Sequence, residues 1–227
     1  MGRMSQRRAA LPYRTTEELS ARLDYLRSAP TDAGTVHLVV RRPDLGVREI
    51  LDEGYLDTVD GLLGDNWYSR ATSRAIAAGH HLDAQVVVMS ARMVGLLADS
   101  EEEQAYAGDQ LYLDLDLSVA NLPAGSRLAF GEPDAGGAVL EISAKPHNGC
   151  AKFVARFGEE AMRFVNNEVG QQLRLRGFNA RILESGVVRP GDVVRVVRRG
   201  PDGPDEQAGA AARQAGAAAA VVTGEFH

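Results

Sequence analysis

The sequence predicts a mostly-β fold, a β-barrel with a few attached helices and α+β by content. Three observations predict it. Short apolar or alternating segments recur between residues 34 and 197. Turn chemistry separates them, as in Glu184-Ser185-Gly186 and Arg189-Pro190-Gly191-Asp192. Helical spacing within that region is confined to an interval around residues 157–175. Many short strands at such intervals are the pattern of a closed or nearly closed barrel. A chain of 227 residues, 44% hydrophobic and 25% charged, allows one domain or at most two small ones. At about 150 residues a domain buries roughly 70% of the surface its unfolded chain exposes, so no disulfide or structural metal is required.

The elements follow in order. Residues 1–33 form an N-terminal extension in which Thr15 and Glu18 have capping-box spacing. Leu19, Leu23 and Leu26 share one helical face until Pro30, which predicts a short helix over residues 16–28. Residues 34–198 form the barrel domain. There Val36, Leu38 and Val40 alternate with His37, Val39 and Arg41, residues 85–89 are an apolar run, and Leu111, Leu113, Leu115 and Leu117 alternate with Tyr112, Asp114 and Asp116. The alternation predicts that the face bearing the two aspartates meets solvent. Further strands are predicted over residues 127–130 and 138–143. After the helical interval, with Phe157, Ala161, Phe164 and Val165 on one face and a second short helix over 168–175, strands resume at 178–183 and 193–197. Residues 199–227 are Gly-Pro-Asp-rich and then alanine-rich, the composition of a low-complexity tail with little to bury.

Composition also narrows the function classes. A single cysteine permits no intramolecular disulfide and fits a reducing compartment. The start is basic through Arg3, Arg7 and Arg8, but no apolar run of signal-peptide length follows, and no run of transmembrane length occurs anywhere. The expectation is a soluble cytoplasmic protein with no membrane partner. A net charge of −6 argues against general affinity for nucleic acid, while leaving room for a local basic patch.

Three segments in register resemble the MOSC domain, the family named after the C-terminal part of molybdenum-cofactor sulfurases. The first runs from Gly34 through Gly46-Val47-Arg48 to Gly61-Leu62-Leu63-Gly64-Asp65, similar to the family's Gly-Leu-x-Gly-Asp turn. The second is Gly108-Asp109 through Leu117, Asn121-Leu122-Pro123-Ala124-Gly125 and Leu128-Ala129-Phe130-Gly131. The third is Val139-Leu140-Glu141-Ile142-Ser143 with Lys145-Pro146-His147-Asn148-Gly149-Cys150, followed by a helical stretch, Arg176-Gly177-Phe178-Asn179-Ala180-Arg181 and residues 186–192. The sequence departs from the family at Pro146-His147-Asn148-Gly149-Cys150, where many members have Pro-Arg-x-Pro-Cys, and at Gly108-Asp109-Gln110, where several have Gly-Glu-Asn. Arg48 is a loose positional match for a lysine of enzymatic members. The resemblance implies a barrel like that of pyruvate kinase and an association with sulfur transfer or the molybdenum cofactor.

Cys150 is the candidate catalytic residue and a candidate molybdenum ligand. Lys145, His147 and Lys152 surround it in sequence, with Arg156 further on, and cationic neighbours favour the thiolate that attacks, carries sulfur or ligates metal. The plainer reading is a small buried hydrophobe. Lys145, Arg176 and Arg181 are candidates to grip an anion such as a pterin phosphate, with solvated strand faces as the competing reading. Asn179 orients one of them or holds a turn. Asp65 binds in the cavity or caps its turn. Trp67 and Tyr68 line a ligand pocket or seal a barrel end. His80-His81 lacks ligands at a recognised spacing and reads as a surface loop.

The expected function is binding of a molybdopterin-type or sulfur-bearing small-molecule ligand near Cys150. Pyridoxal phosphate is not expected in this chain itself, so sulfur would come from a separate cysteine desulfurase, with a molybdoenzyme as the other expected partner. Two alternatives stay open: a molybdenum-dependent reductase of N-hydroxylated compounds, and a non-catalytic binding module.

Overall fold

The computed structural model describes residues 3–4, 13–131 and 137–201. Its strands are β1 (Arg3–Met4), β2 (Ala33–Arg41), β3 (Glu49–Ile50), β4 (Gly54–Asp57), β5 (Gly61–Leu62), β6 (Val86–Ser90), β7 (Leu111–Asp114), β8 (Arg127–Phe130), β9 (Val139–Ile142), β10 (Phe178–Glu184), β11 (Gly186–Val188) and β12 (Val193–Arg198). Its helices are α1 (Thr16–Ser20), α2 (Leu23–Arg27), α3 (Ser73–Ala77), α4 (Ala91–Leu97), α5 (Glu101–Gln104), α6 (Ala151–Asn166) and α7 (Glu168–Gln172). Seven strands in the order β2-β12-β8-β9-β10-β6-β7 close into a barrel because β7 also pairs with β2. Every barrel pairing is antiparallel except β6 with β7, which α4 and α5 connect, as a parallel pair requires a crossover. A small sheet of β11, β4 and β5 stands beside it.

Two apolar clusters result. Val36, Val88, Leu111, Leu113, Phe130, Leu140, Phe178 and Val194 fill the barrel. A second cluster lies between the outer barrel wall and the helices, where Leu38, Val40, Met89 and Tyr112 meet Leu19, Met93, Phe153, Phe157 and Phe164. The alternation predicted for β2 breaks on this account. Its pairing with β7 slips between Val36 and Leu38, so His37 is an extra residue, a β-bulge. Val36 and Val39 therefore point into the barrel, while Leu38 and Val40 point at the helices. His37 turns out to a hydrogen bond with Gln104 at 2.7 Å.

The face of β7 predicted to meet solvent is covered for the same reason. Tyr112 is wholly buried under the helices, and its hydroxyl donates to the Gln104 carbonyl at 3.1 Å. Asp114 sits near the edge of that cover and pairs with Arg92 at 2.6 Å. The predicted helix over residues 16–28 divides at Ala21–Arg22 into α1 and α2. The Thr15–Glu18 capping box forms as predicted, and the division lets α1 rest on α6 and α2 on α4. Gly200 is buried, its N–H donating to Ser126 Oγ at 2.9 Å, and the tail from residue 202 lies outside the described residues.

Candidate functional site

The loop after β9 carries Cys150 to the first turn of α6, where the cysteine is the N-cap residue and its side chain is exposed. Asn179, on β10, holds that loop by donating from Nδ2 to the carbonyls of Lys145 at 3.1 Å and Pro146 at 3.0 Å. The thiol's pKa is lowered. Partial burial pushes it up, but the amides of Phe153 and Lys152 and the charges of Arg176 and Arg156 together outweigh that.

Cys150 opens onto a cavity of about 850 Å³ shared with Arg42, Arg48, Arg70, Lys152, Arg156 and Arg176. His147 and Asn179 also line it, as do Tyr13, Tyr106, Phe153 and Phe157. Asp109 organises one wall. Its side chain is fully buried, and both carboxylate oxygens accept from Arg176 Nη1 at 2.7 Å. His147 donates from Nε2 to Asp109 Oδ1 at 3.0 Å. Burial alone would raise the Asp109 pKa, but Arg176 and His147 hold it well below the usual carboxylate range. Burial lowers the His147 pKa more than the Asp109 contact raises it, so the imidazole is neutral at neutral pH with its tautomer fixed by that contact.

Beside that wall stand two cations, Arg48 and Arg156, with no carboxylate partner among the described residues: Arg156 Nη1 and Arg176 Nη2 each donate to the Ala107 carbonyl at 3.2 Å, and Arg48 Nη1 donates to the Val47 carbonyl at 2.6 Å. Gly108, at φ 90°, brings its backbone so close that a Cβ there would stand 3.0 Å from Arg156 Nη1 and 3.2 Å from Arg48 Nη2. Two guanidinium groups thus lie side by side against one glycine. Arg48 is only 7% exposed, and its Nε is buried with no hydrogen-bond partner among the described residues. Burial, followed by repulsion from Arg156, Arg42 and Arg70, pulls its pKa down to about 10. It stays protonated at neutral pH, at a cost that an anion would relieve.

Arg42 is compensated. Asp65 accepts from its Nε at 2.9 Å and Nη2 at 2.8 Å, and the Gly108 carbonyl accepts from Nη1 at 3.0 Å. Asp65 owes its place to the glycine turn preceding it, where Gly61 and Gly64 both have positive φ and a Cβ on Gly64 would strike the Arg41 side chain.

The sequence-predicted residues therefore divide. Cys150, His147, Arg176 and Asn179 line the cavity. Asp65 stands behind it and aims Arg42. Arg181 pairs with Asp83 at 3.0 Å away from the cavity. Lys145 is exposed and borders a smaller cavity of about 340 Å³ beyond the shared His147 and Arg176. The proposed convergence of Lys145, Arg176 and Arg181 is thus not formed, because Arg181 sits in the middle of β10 facing Asp83. Trp67 stacks on His81 with ring centroids 5.7 Å apart, and its Nε1 donates to the Asp60 carbonyl at 2.6 Å, so it seals a turn rather than lining the cavity.

Comparison with known proteins bears on the fold. No family model and no curated protein matches the chain. Solved structures do. A protein whose crystal structure is described only as hypothetical aligns with a TM-score of 0.50 and 19% identity, over 77% of this chain and 72% of its own. YuaD from Bacillus subtilis aligns at 0.47 and 16%, over 72% of this chain and 95% of its own. YiiM from Escherichia coli aligns at 0.45 and 18%, over 73% and 71%. At such identities the likeness concerns the barrel fold.

Sequence reasoning missed Arg42 and Arg70 altogether, and Asp109 as a functional residue. Asp109 had a signal, since Gly108-Asp109 stands where the resembling family has a glycine and a glutamate. Arg42 and Arg70 had none: each is one arginine among many, and only the folded chain brings Arg42 to Gly108 and Arg70 to the same cavity.

Proposed function

We propose that this chain is a MOSC-type protein whose cavity binds a phosphate-bearing ligand of the molybdopterin class, with Cys150 as the working sulfur. The observation that carries the reading is the pair Arg48 and Arg156 against Gly108, one of them buried with an Nε that has no partner among the described residues, in the same cavity as an exposed thiol whose pKa is lowered. The three-segment sequence resemblance and the barrel support it.

The residues present fit that group. Arg48 and Arg156 offer the paired donors that phosphate oxygens take, and Arg70 adds positive charge. Tyr106, half-buried at the cavity edge, offers ring surface for a fused ring. Cys150 is the chain's only cysteine, so a soft metal here needs further sulfur ligands, which a pterin dithiolene supplies. When bound, such a cofactor brings the molybdenum and its redox capacity. The chain's own residues bind the phosphate, present the thiolate and hold one proton on His147 Nε2 against Asp109.

As a sulfur carrier, the Cys150 thiolate attacks the terminal sulfur of a desulfurase persulfide. A new S–S bond forms on Cys150, the donor's S–S bond breaks, and the donor leaves as thiolate with no net oxidation. The same exposed thiolate equally suits metal ligation, the arrangement a reductase of N-hydroxylated compounds requires.

The test is protein purified from a molybdopterin-producing host, with molybdenum measured by metal analysis and pterin by fluorescence after oxidation. Wild type is expected to carry pterin, and Arg48→Gln with Arg156→Ala to lose at least about ten-fold of it while keeping its circular dichroism, the effect of removing paired phosphate contacts. In parallel, incubation with a cysteine desulfurase and cysteine adds the mass of one sulfur to Cys150. Wild-type protein free of pterin and molybdenum, with a thiol that alkylates only after denaturation, returns the chain to a binding module.

A further inference from the structure

The cysteine at the head of α6 is tied to the far end of the same helix. Asn166, its last residue, accepts from the Gly149 N–H at Oδ1 at 2.8 Å and donates from Nδ2 to the Gly149 carbonyl at 3.0 Å. One side-chain amide thus closes both hydrogen-bonding groups of the residue immediately before Cys150. The helix has 16 residues, and if straight it would be about 24 Å long, so its two ends could not meet. They meet because Gly158 has φ 87° and ψ 167°, a conformation open essentially to glycine alone, which turns α6 into two short antiparallel halves. Tyr13 fills the outside of that turn: a Cβ on Gly158 would lie 2.8 Å from its ring. Gly149 itself packs closely on the second half, 3.2 Å from Val165 and 3.3 Å from Met162 for an added Cβ.

We propose that Asn166 is a positioning residue for Cys150, and that the Gly158 turn exists to bring it there. The proposal rests on the reading of Cys150 as the working sulfur. A free loop of Gly-Cys sequence samples many orientations of the thiol, most of them away from the cavity. Gly149 is held at both its N–H and its carbonyl by Asn166, and the Lys145 and Pro146 carbonyls are held by Asn179, so four hydrogen bonds restrain the loop. That restraint sets the thiol against the first-turn amides of Lys152 and Phe153. The charges of Arg156 on α6 and Arg176 before β10 also act on it, and the Lys152 and Arg48 side chains line the same cavity. His147 and Lys145 share its loop.

The pairing is chemically selective. Asn presents an NH2 and a carbonyl oxygen in one plane, matching the carbonyl and N–H of a single residue, and its Nδ2 also donates to Met162 Sδ at 3.2 Å. Asp at this position keeps the acceptor for the Gly149 N–H but faces the Gly149 carbonyl with a second acceptor. Ala removes both contacts.

The experiment is the alkylation rate of Cys150 by iodoacetamide against pH, on full-length wild type, Asn166→Ala and Asn166→Asp, with melting temperature and near-ultraviolet circular dichroism in parallel. In the Ala variant the rate at pH 7 is expected to fall at least about five-fold, the loss of one N-cap-sized contact to the thiolate, while the limiting rate at high pH is retained. The Asp variant is expected to lie between the two. A residue of purely structural importance would lower the melting temperature and leave the pH profile in place. Profiles of both variants that superimpose on wild type overturn the proposal, whatever their stability. Should Asn166→Ala fail to fold, the Asp variant decides alone. Failure of the functional reading is separate, because it appears in the wild-type curve as a thiol with no reactivity at neutral pH.

Discussion

Replacing Asp109 by Asn tests the link between the buried wall and the cavity. The Asp109 side chain is fully buried, the Arg176 side chain is 8% exposed, and they meet at 2.7 Å. Removing one charge of such a pair leaves the other stranded, at a cost of about 3–5 kcal/mol. Asparagine keeps the shape and one acceptor, so the lower end, about 3 kcal/mol, is expected. For a domain of this size each kcal/mol moves the melting temperature by about 2–4 °C, so a fall of roughly 6–12 °C is expected at pH 7. The sign with pH follows from the depressed Asp109 pKa. Below about pH 4 the unfolded chain takes up the proton and the folded state does not, so the carboxylate's contribution is complete above that pH and fades below it. Because His147 loses its Asp109 contact in the variant and itself titrates between about pH 5 and 7 in the unfolded chain, the gap is measured in a His147→Ala background, where it should be constant from about pH 5 to 7 and narrow as pH falls toward the folded-state value. Urea unfolding at several pH values measures it. A gap under about 1 kcal/mol at pH 7, or one that widens in acid, would refute the assignment of this pair as a mutually dependent buried contact.

Gly158→Ala combines a glycine-only conformation with a Cβ placed against Tyr13, and is expected to cost about 1–3 kcal/mol in chemical unfolding. Tyr112→Phe removes a wholly buried hydroxyl and leaves the Gln104 carbonyl without it, for an expected loss of about 1–2 kcal/mol in the same measurement. His147→Ala removes an imidazole that burial keeps neutral. Because the unfolded imidazole binds a proton below about pH 6.5 and the folded one resists it, wild-type stability should rise with pH across that region, and the slope should flatten in the variant.

The barrel was legible in the sequence because strands announce themselves locally, through alternation and through turns such as Arg189-Pro190-Gly191-Asp192. So were the capping box at Thr15 and the loop ending in Cys150. What misled was the assumption that a strand face with polar residues meets water. Tyr112 and Leu38 belong to an outer core that exists only because α1, α4 and α6 pack on the barrel wall, and the His37 bulge that switches faces in β2 has no local signature.

The site divides along the same line. The candidate cysteine, its histidine neighbour and the loop that carries them are contiguous in the chain, so the sequence by itself brought them together. The cations that make the cavity do not neighbour one another in sequence. Arg42, Arg48, Arg156 and Arg176 meet around Gly108 and Asp109 only when β2, β7, β10 and α6 are assembled, and Arg181, which by sequence had an equal claim, is carried to Asp83 instead. Charge type is a property of residues, but whether a charge is paired, stranded or aimed at a ligand is a property of distances across the fold, and those only the tertiary structure decided.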